Sequence, residues 1–215
     1  MRFPPRRFQK TKPRVTRRRS THSGPLGKAK VLTAQQFDQA AEMALSKSLY
    51  GPRDQLFIML SRYGGLRARE IATLHVEDVT DATGALADKI AISKRGAKYG
   101  KARTVRMHPN LKAALEKYLL NSKITSGPIF WSYRGGPATS NMVQKQIKSV
   151  YTLCGFEGAR SHSGRRYVIT TMAQAANMVG ASLEDVRIFA GHSDITTTAA
   201  YVEESMYADK LVNLL

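Results

Sequence analysis

Residues 51–74 read GPRDQLFIMLSRYGGLRAREIATL, and the two breaks in this stretch decide how the rest of the chain is read. Gly51-Pro52 fixes a helix start, and Leu56, Ile58, Met59 and Leu60 make the helix that follows strongly apolar. Gly64-Gly65 stops it, and a short helix is expected from about Arg67 to Leu74. Upstream, Thr33 is a natural N-cap for a helix over 34–48, with Phe37, Ala40, Ala41, Ala44 and Leu45 on one face. Downstream, residues 89–93 and 103–107 read as strands around a basic, glycine-containing turn, Lys94 to Lys101. Pro109 opens a helix to Leu120, and a short extended piece, Pro128 to Trp131, follows it. Further helices are expected over 139–153, 162–177, 183–189 and 194–202, with a last one from Met206. No internal repeat is present. The pattern predicts a mainly α fold with a small antiparallel β-hairpin inserted after the third helix.

The chain has 215 residues, of which 42% are hydrophobic, enough for one domain with a sizeable core and a tail. Its 34 Lys and Arg against 16 Asp and Glu give a net charge of +18, which speaks about partners rather than fold and points to polyanions, nucleic acid first. Residues 1–30 hold eleven of those bases, including Arg17, Arg18 and Arg19, no acid, and Pro4, Pro5, Pro13 and Pro25. That segment is expected to be disordered when free and to wrap a phosphate backbone on binding, with affinity that falls steeply with salt. Residues 31–215 form the expected folded domain. A single cysteine, Cys154, excludes an internal disulfide framework and any multi-cysteine metal cluster, and fits a reducing cytosol. No apolar run is long enough to span a membrane, and the basic N-terminus has no apolar stretch behind it, so the expected location is cytoplasmic.

Four local patterns carry chemistry. In Gly65-Leu66-Arg67-Ala68-Arg69-Glu70, Arg67 and Glu70 lie three apart and share a helix face; read alone, this is a solvated ion pair. Lys94 stands at the mouth of the hairpin, where a turn could bring an ammonium onto a phosphate. His162-Ser163-Gly164-Arg165 places a histidine and an arginine three apart, a phosphate clamp with a proton-transfer partner. Gly164 inside a helix costs about 1 kcal/mol relative to alanine, so it marks a close backbone approach or a helix start near Arg165. Last, Gly191-His192 precedes Tyr201 by nine residues. On an unbroken helix that spacing is about 900° and puts the two side chains on opposite faces. They converge only if the Gly191–Asp194 stretch turns.

Taken together and in this order, Gly-Leu-Arg-x-x-Glu, a hairpin lysine, His-x-x-Arg, Gly-His and a tyrosine nine residues later resemble the catalytic domain of the tyrosine recombinases. These are the phage-integrase family of site-specific DNA recombinases, and the resemblance covers residues 31–205. Small stand-alone members such as the fimbrial-switch invertases are the nearest comparison in architecture. The resemblance implies that Tyr201 attacks a scissile phosphodiester to give a 3′-phosphotyrosine. It implies that Arg67 and Arg165 hold the two non-bridging oxygens and that Lys94 protonates the leaving 5′-oxygen. By the same carry-over, His162 takes part in proton transfer, His192 donates a hydrogen bond to a phosphate oxygen, and Glu70 orients Arg67 or His162. The expected partner is double-stranded DNA, on which copies of the chain assemble; residues 204–215 either pack on their own body or, as the resemblance implies, are exchanged between protomers.

Physical chemistry favours the same assignment. Phosphoryl transfer needs charge stabilisation and in-line positioning, and forked guanidiniums match phosphate geometry where lysine does not. A phenol with pKa near 10 needs neighbouring positive charge and a base to act at neutral pH. No metal or other cofactor is expected: His22, His75, His108, His162 and His192 show no ligand spacing, and no Gly-x-x-x-x-Gly-Lys-Ser/Thr loop is present. Arg95, Lys98, Lys101 and Arg166 are expected on the DNA backbone. Tyr167 and Tyr207 are rival nucleophiles without the family spacing. Most family members carry a separate helical domain ahead of the catalytic one; a basic segment of thirty residues stands there in this sequence, which suggests that the tail, or an accessory DNA-binding protein, completes the grip. Relaxation of supercoils by a type IB topoisomerase, or a catalytically idle DNA-binding protein of the same fold, are the alternatives.

Overall fold

A helix buried on most of its faces has to sit in the middle of its domain. The structure, a computed structural model describing residues 29–93, 95–96 and 102–201, puts α2 (Gly51–Gly64) there. Leu56, Phe57, Ile58 and Leu60 are all buried in it. Around it lie α1 (Ala34–Lys47), α4 (Pro109–Ser122), α5 (Ser140–Leu153) and α6 (Ser163–Ala175). The remaining helices are α3 (Ala68–Ala72), α7 (Leu183–Ala190) and α8 (Ile195–Ala199), with 3-10 turns at Val76–Asp78 and Ala176–Val179. Thr33 caps α1 as expected: its hydroxyl accepts from the Gln36 N–H, and the Gln36 side chain accepts from the Thr33 N–H. Gly51 is required because a Cβ there would lie 2.2 Å from the Leu45 carbonyl oxygen, so α1 and α2 could not fold back on each other.

Strands β1 (Lys89–Ile92) and β2 (Arg103–Arg106) pair antiparallel with Ile90 opposite Val105 and Ile92 opposite Arg103. Ile90, Ile92 and Val105 face the core, while Lys89, Ala91, Thr104 and Arg106 face away. The same alternation puts Arg103 on the inward face. The extended piece near Pro128 pairs with the chain leaving α3, through Ile129 N–H to the Leu74 carbonyl at 3.0 Å and Val76 N–H to the Gly127 carbonyl at 2.9 Å. Phe37, Phe57, Phe130 and Tyr151 anchor the main core by edge and tilted ring contacts. A second, smaller core joins Ile169, Ala176, Val186 and Ala190 of the C-terminal helices, and Tyr201 packs against it.

The helices keep their expected positions, with ends that differ by a few residues: α3 stops at Ala72 and α8 at Ala199, while α4 runs on to Ser122 and α7 to Ala190. The tail with Arg17, Arg18 and Arg19, the hairpin residues Lys94, Lys98 and Lys101, and the helix expected from Met206 lie outside the described residues. A buried ion pair went unanticipated. Arg53 and Asp54 meet at 2.9 Å, and Gln146 from α5 donates to the other Asp54 oxygen at 2.8 Å. Arg53 also donates to the Trp131 carbonyl and stacks on Tyr50. Burial raises the Asp54 pKa despite the adjoining guanidinium.

Candidate active site

The break that ends α2 also builds the first part of the site. Gly65 adopts the left-handed conformation at φ 59°, Leu66 is fully buried as an anchor, and Arg67 leaves in extended conformation to start α3. Glu70 occupies the third position of α3, and its Oε2 accepts the Arg67 backbone N–H at 2.7 Å while its Oε1 accepts from Arg67 Nη1 at 2.8 Å. The pair is not the solvated one that the hexapeptide suggests by itself. Glu70 has no exposed side-chain surface, because Arg103 from β2 grips both its oxygens at 2.5 and 3.0 Å. Burial works to raise the Glu70 pKa, but the hydrogen bonds and charge of Arg103, with the Arg67 N–H, outweigh it and hold the carboxylate below its ordinary range.

Arg165, in the first turn of α6, is brought to the same place by close packing. A Cβ on Gly164 would lie 2.5 Å from Ser61 Oγ and 2.9 Å from the Arg62 nitrogen, so α6 meets α2 backbone to backbone. Both readings of that glycine therefore hold: it permits a close approach, and it sits at the helix start. Arg165 is only 2% exposed, and its guanidinium donates to the Gly65 and Ala190 carbonyls, each at 2.6 Å. These oxygens belong to the C-terminal ends of α2 and α7, where carbonyls lack helical partners and the helix dipole favours a cation. Burial, and then the charges of Arg67 and Arg103, push the Arg165 pKa down to about 9, and an entering anion relieves that repulsion.

Gly191 makes the turn between α7 and α8 at φ 62°, and Asp194 caps α8 by accepting from the Thr196 N–H. This is the turn required for His192 and Tyr201 to converge. Their rings stack with centroids 5.6 Å apart and planes 25° apart. Arg187, paired with Glu184, donates to the His192 carbonyl at 2.6 Å and fixes the turn. His192 Nε2 lies 3.0 Å from Arg165 Nη2, and Nδ1 lies 2.9 Å from the hydroxyl of the fully buried Thr198. Burial, reinforced by the charges of Arg165, Arg67, Arg103 and Arg187, lowers the His192 pKa to about 4, so the ring is neutral at pH 7. Because arginine can only donate, Nε2 accepts and the proton resides on Nδ1. The expected donation from His192 to a phosphate thus has as its starting point a ring that accepts from Arg165.

The structure brings Arg67, Glu70, Arg165, His192 and Tyr201 into one cluster. His162 stands exposed at the N-terminal boundary of α6, three residues before Arg165, and its carbonyl accepts from the Arg166 N–H. Arg166, expected on DNA, donates through Nη1 to the Ala29 carbonyl at 2.9 Å. Arg95, expected there too, directs Nη2 to both oxygens of Asp78 at 2.9 Å, with half of its side chain exposed. The turn holding Arg95 rests on α3, since a Cβ on Gly96 would touch Thr73 Oγ1 and Glu70 Cα. Arg103, Arg187 and Thr198 were not foreseen; only the inward register of β2 offered a signal for Arg103. Among the described residues, no group of three or more His, Cys, Asp or Glu is placed to hold a metal ion. The cluster is cationic, with the Tyr201 ring at its edge.

The described sequence features match the family described as the phage integrase family over residues 30–207. The tyrosine recombinase XerC of Pelobacter propionicus is 26% identical over 183 residues, which is 82% of this chain and 56% of that protein. The tyrosine recombinase XerA of Pyrococcus horikoshii is 27% identical over 157 residues, 70% of this chain and 50% of that protein. The chain spans about half the length of the curated relatives it matches. Among solved structures, the XerA recombinase has a TM-score of 0.66 at 20% identity, covering 86% of this chain and 64% of that one. The Tn1549 transposon integrase in complex with transposon right end DNA has a TM-score of 0.70 at 16% identity, covering 90% and 66%.

Proposed function

The chain belongs to the phage integrase family, and from that premise we propose that it is a site-specific DNA recombinase that breaks and rejoins strands through a 3′-phosphotyrosine on Tyr201. The observation that carries this reading is the stacking of the Tyr201 ring on His192, whose own ring touches the buried Arg165. In the proposed reaction, Tyr201 Oη attacks the phosphorus and the 5′-oxygen leaves. Arg67 and Arg165 bind the non-bridging oxygens, and a phosphate oxygen takes over an Arg165 N–H that now points to His192. Lys94 gives its proton to the departing 5′-oxygen, and His162 takes the proton from the phenol. A 5′-hydroxyl of another strand then attacks the phosphotyrosine and releases Tyr201. The phosphoester energy is retained in the intermediate, so the scheme needs neither ATP nor a metal.

Double-stranded DNA is the proposed substrate, bound by copies of the chain assembled on it, in the cytoplasm and at the nucleoid. Arg95, Lys98, Lys101, Arg166 and the tail bases are proposed as backbone contacts. An apolar groove of about 200 Å³ lined by Met172, Ala176, Val179, Val186 and Phe189 is where we place residues 204–215 of a neighbouring copy. Those residues offer apolar side chains at 207, 211, 214 and 215. The test uses two supercoiled plasmids carrying DNA that flanks the gene. Recombinant junctions with wild type, and none with Tyr201→Phe, support the reading. Relaxation of any plasmid without junctions would replace it with a topoisomerase.

A further inference from the structure

Arg103 belongs to none of the motifs that carry the proposed chemistry, yet it joins them. It takes an inward position of β2, opposite Ile92, and only 9% of its side chain is exposed. Besides gripping both Glu70 oxygens, it donates through Nε to the Phe189 carbonyl at 3.1 Å. Its stem lies under Gly191, where a Cβ would come within 2.8 Å of Arg103 Cδ. One side chain therefore spans the hairpin, the helix that follows Arg67 and the turn that carries His192.

The consequence is electrostatic. Glu70 is fully buried against Arg67, and with that arginine alone it would form a neutral pair, cancelling much of the field that Arg67 presents to an anion. Arg103 supplies a second cation to the same carboxylate, so the three groups together carry +1. We infer that Arg103 is a positioning residue for DNA cleavage: it neutralises and immobilises Glu70, so that Arg67 meets the scissile phosphate as a cation, and it holds the Gly191-His192 turn to the same frame. This rests on the reading of the chain as a DNA-cleaving recombinase.

A charge-rescue experiment separates this role from a purely structural one. Arg103→Met keeps most of the stem against Gly191 and removes the charge. Single-turnover adduct formation on nicked DNA should fall about 10–100-fold, as for a misplaced catalytic group, with DNA affinity changed less than threefold. Glu70→Gln placed in the Arg103→Met background restores the +1 and should regain at least fivefold of the lost rate; a residue needed only for folding gives no such recovery. Arg103→Lys, which keeps the charge, should cleave within about tenfold of wild type, and it carries the test should the methionine variant not fold. Wild-type cleavage by Arg103→Met, a double variant no faster than the single one, or a folded Arg103→Lys as slow as Arg103→Met would each overturn the inference. Absence of an adduct from wild type on every fragment flanking the gene would overturn the recombinase reading and this inference with it.

Discussion

Replacing Gly164 by alanine sets two effects of opposite sign against each other. Helix propensity alone favours alanine by about 1 kcal/mol. The structure puts the new Cβ 2.5 Å from Ser61 Oγ, 2.8 Å from the Ser61 carbonyl carbon and 2.9 Å from the Arg62 nitrogen. Two of those atoms are α2 backbone, so no change of rotamer relieves them, and α6 has to back away. Overpacking of this kind costs about 1–3 kcal/mol, and contacts under 3.0 Å to backbone atoms put it in the upper part of that range, which leaves a net loss of about 1–2 kcal/mol. The next residue is Arg165, whose two 2.6 Å bonds to Gly65 and Ala190 stretch with the displaced helix. Urea unfolding of wild type and Gly164→Ala, followed by circular dichroism, should show a lower midpoint at an unchanged slope. Adding Ser61→Ala should not restore it, because the backbone contacts persist. A Gly164→Ala variant as stable as wild type, or more so, would refute the close-approach argument.

Further predictions concern other parts of the molecule. His192 has its folded pKa lowered to about 4 from an ordinary 6.5, so the unfolded chain binds more protons between those values. Stability should therefore rise with pH across that window and be lost as pH falls through 4, by up to about 3 kcal/mol from this group. His192→Gln should show a shallower acid dependence in urea titrations; parallel curves would contradict it. Asp54→Ala leaves the buried Arg53 guanidinium without its carboxylate. It should cost about 3–5 kcal/mol and lower the Tm by about 10 °C in a thermal melt; a shift under 2 °C would count against the pair. Deleting residues 1–30 removes eleven bases. It should cut DNA affinity at physiological salt at least tenfold and flatten the salt dependence of binding; an unchanged salt slope would remove the tail from the interface.

How far the sequence could be read depended on whether a feature was local. The Gly64-Gly65 break, the Thr33 cap, the β1 and β2 strands and the turn at Gly191 are each written within a few residues, and each is found where it was expected. The burial of Glu70 was not legible from the hexapeptide, because the residue that buries it, Arg103, lies 33 positions away. The same is true of Arg53 and Asp54, whose outer partner Gln146 is 92 residues distant in the chain. For His192, the motif named the residue but not its hydrogen-bond polarity. That is set by Arg165 and Thr198, which meet it only in the folded chain. Arg95 and Arg166 each gain a protein partner in the fold, Asp78 and the Ala29 carbonyl, that their basic stretches do not announce.

Which tyrosine carries the DNA is the most direct question. Wild-type protein would be incubated with nicked, end-labelled fragments from the DNA flanking its gene, and the adduct digested with nuclease and trypsin for peptide mass spectrometry. The account predicts a nucleotide remnant on the peptide containing Tyr201, joined through a 3′-phosphate and absent from Tyr201→Phe. A remnant on Tyr167 or Tyr207, or an adduct that survives Tyr201→Phe, would contradict it.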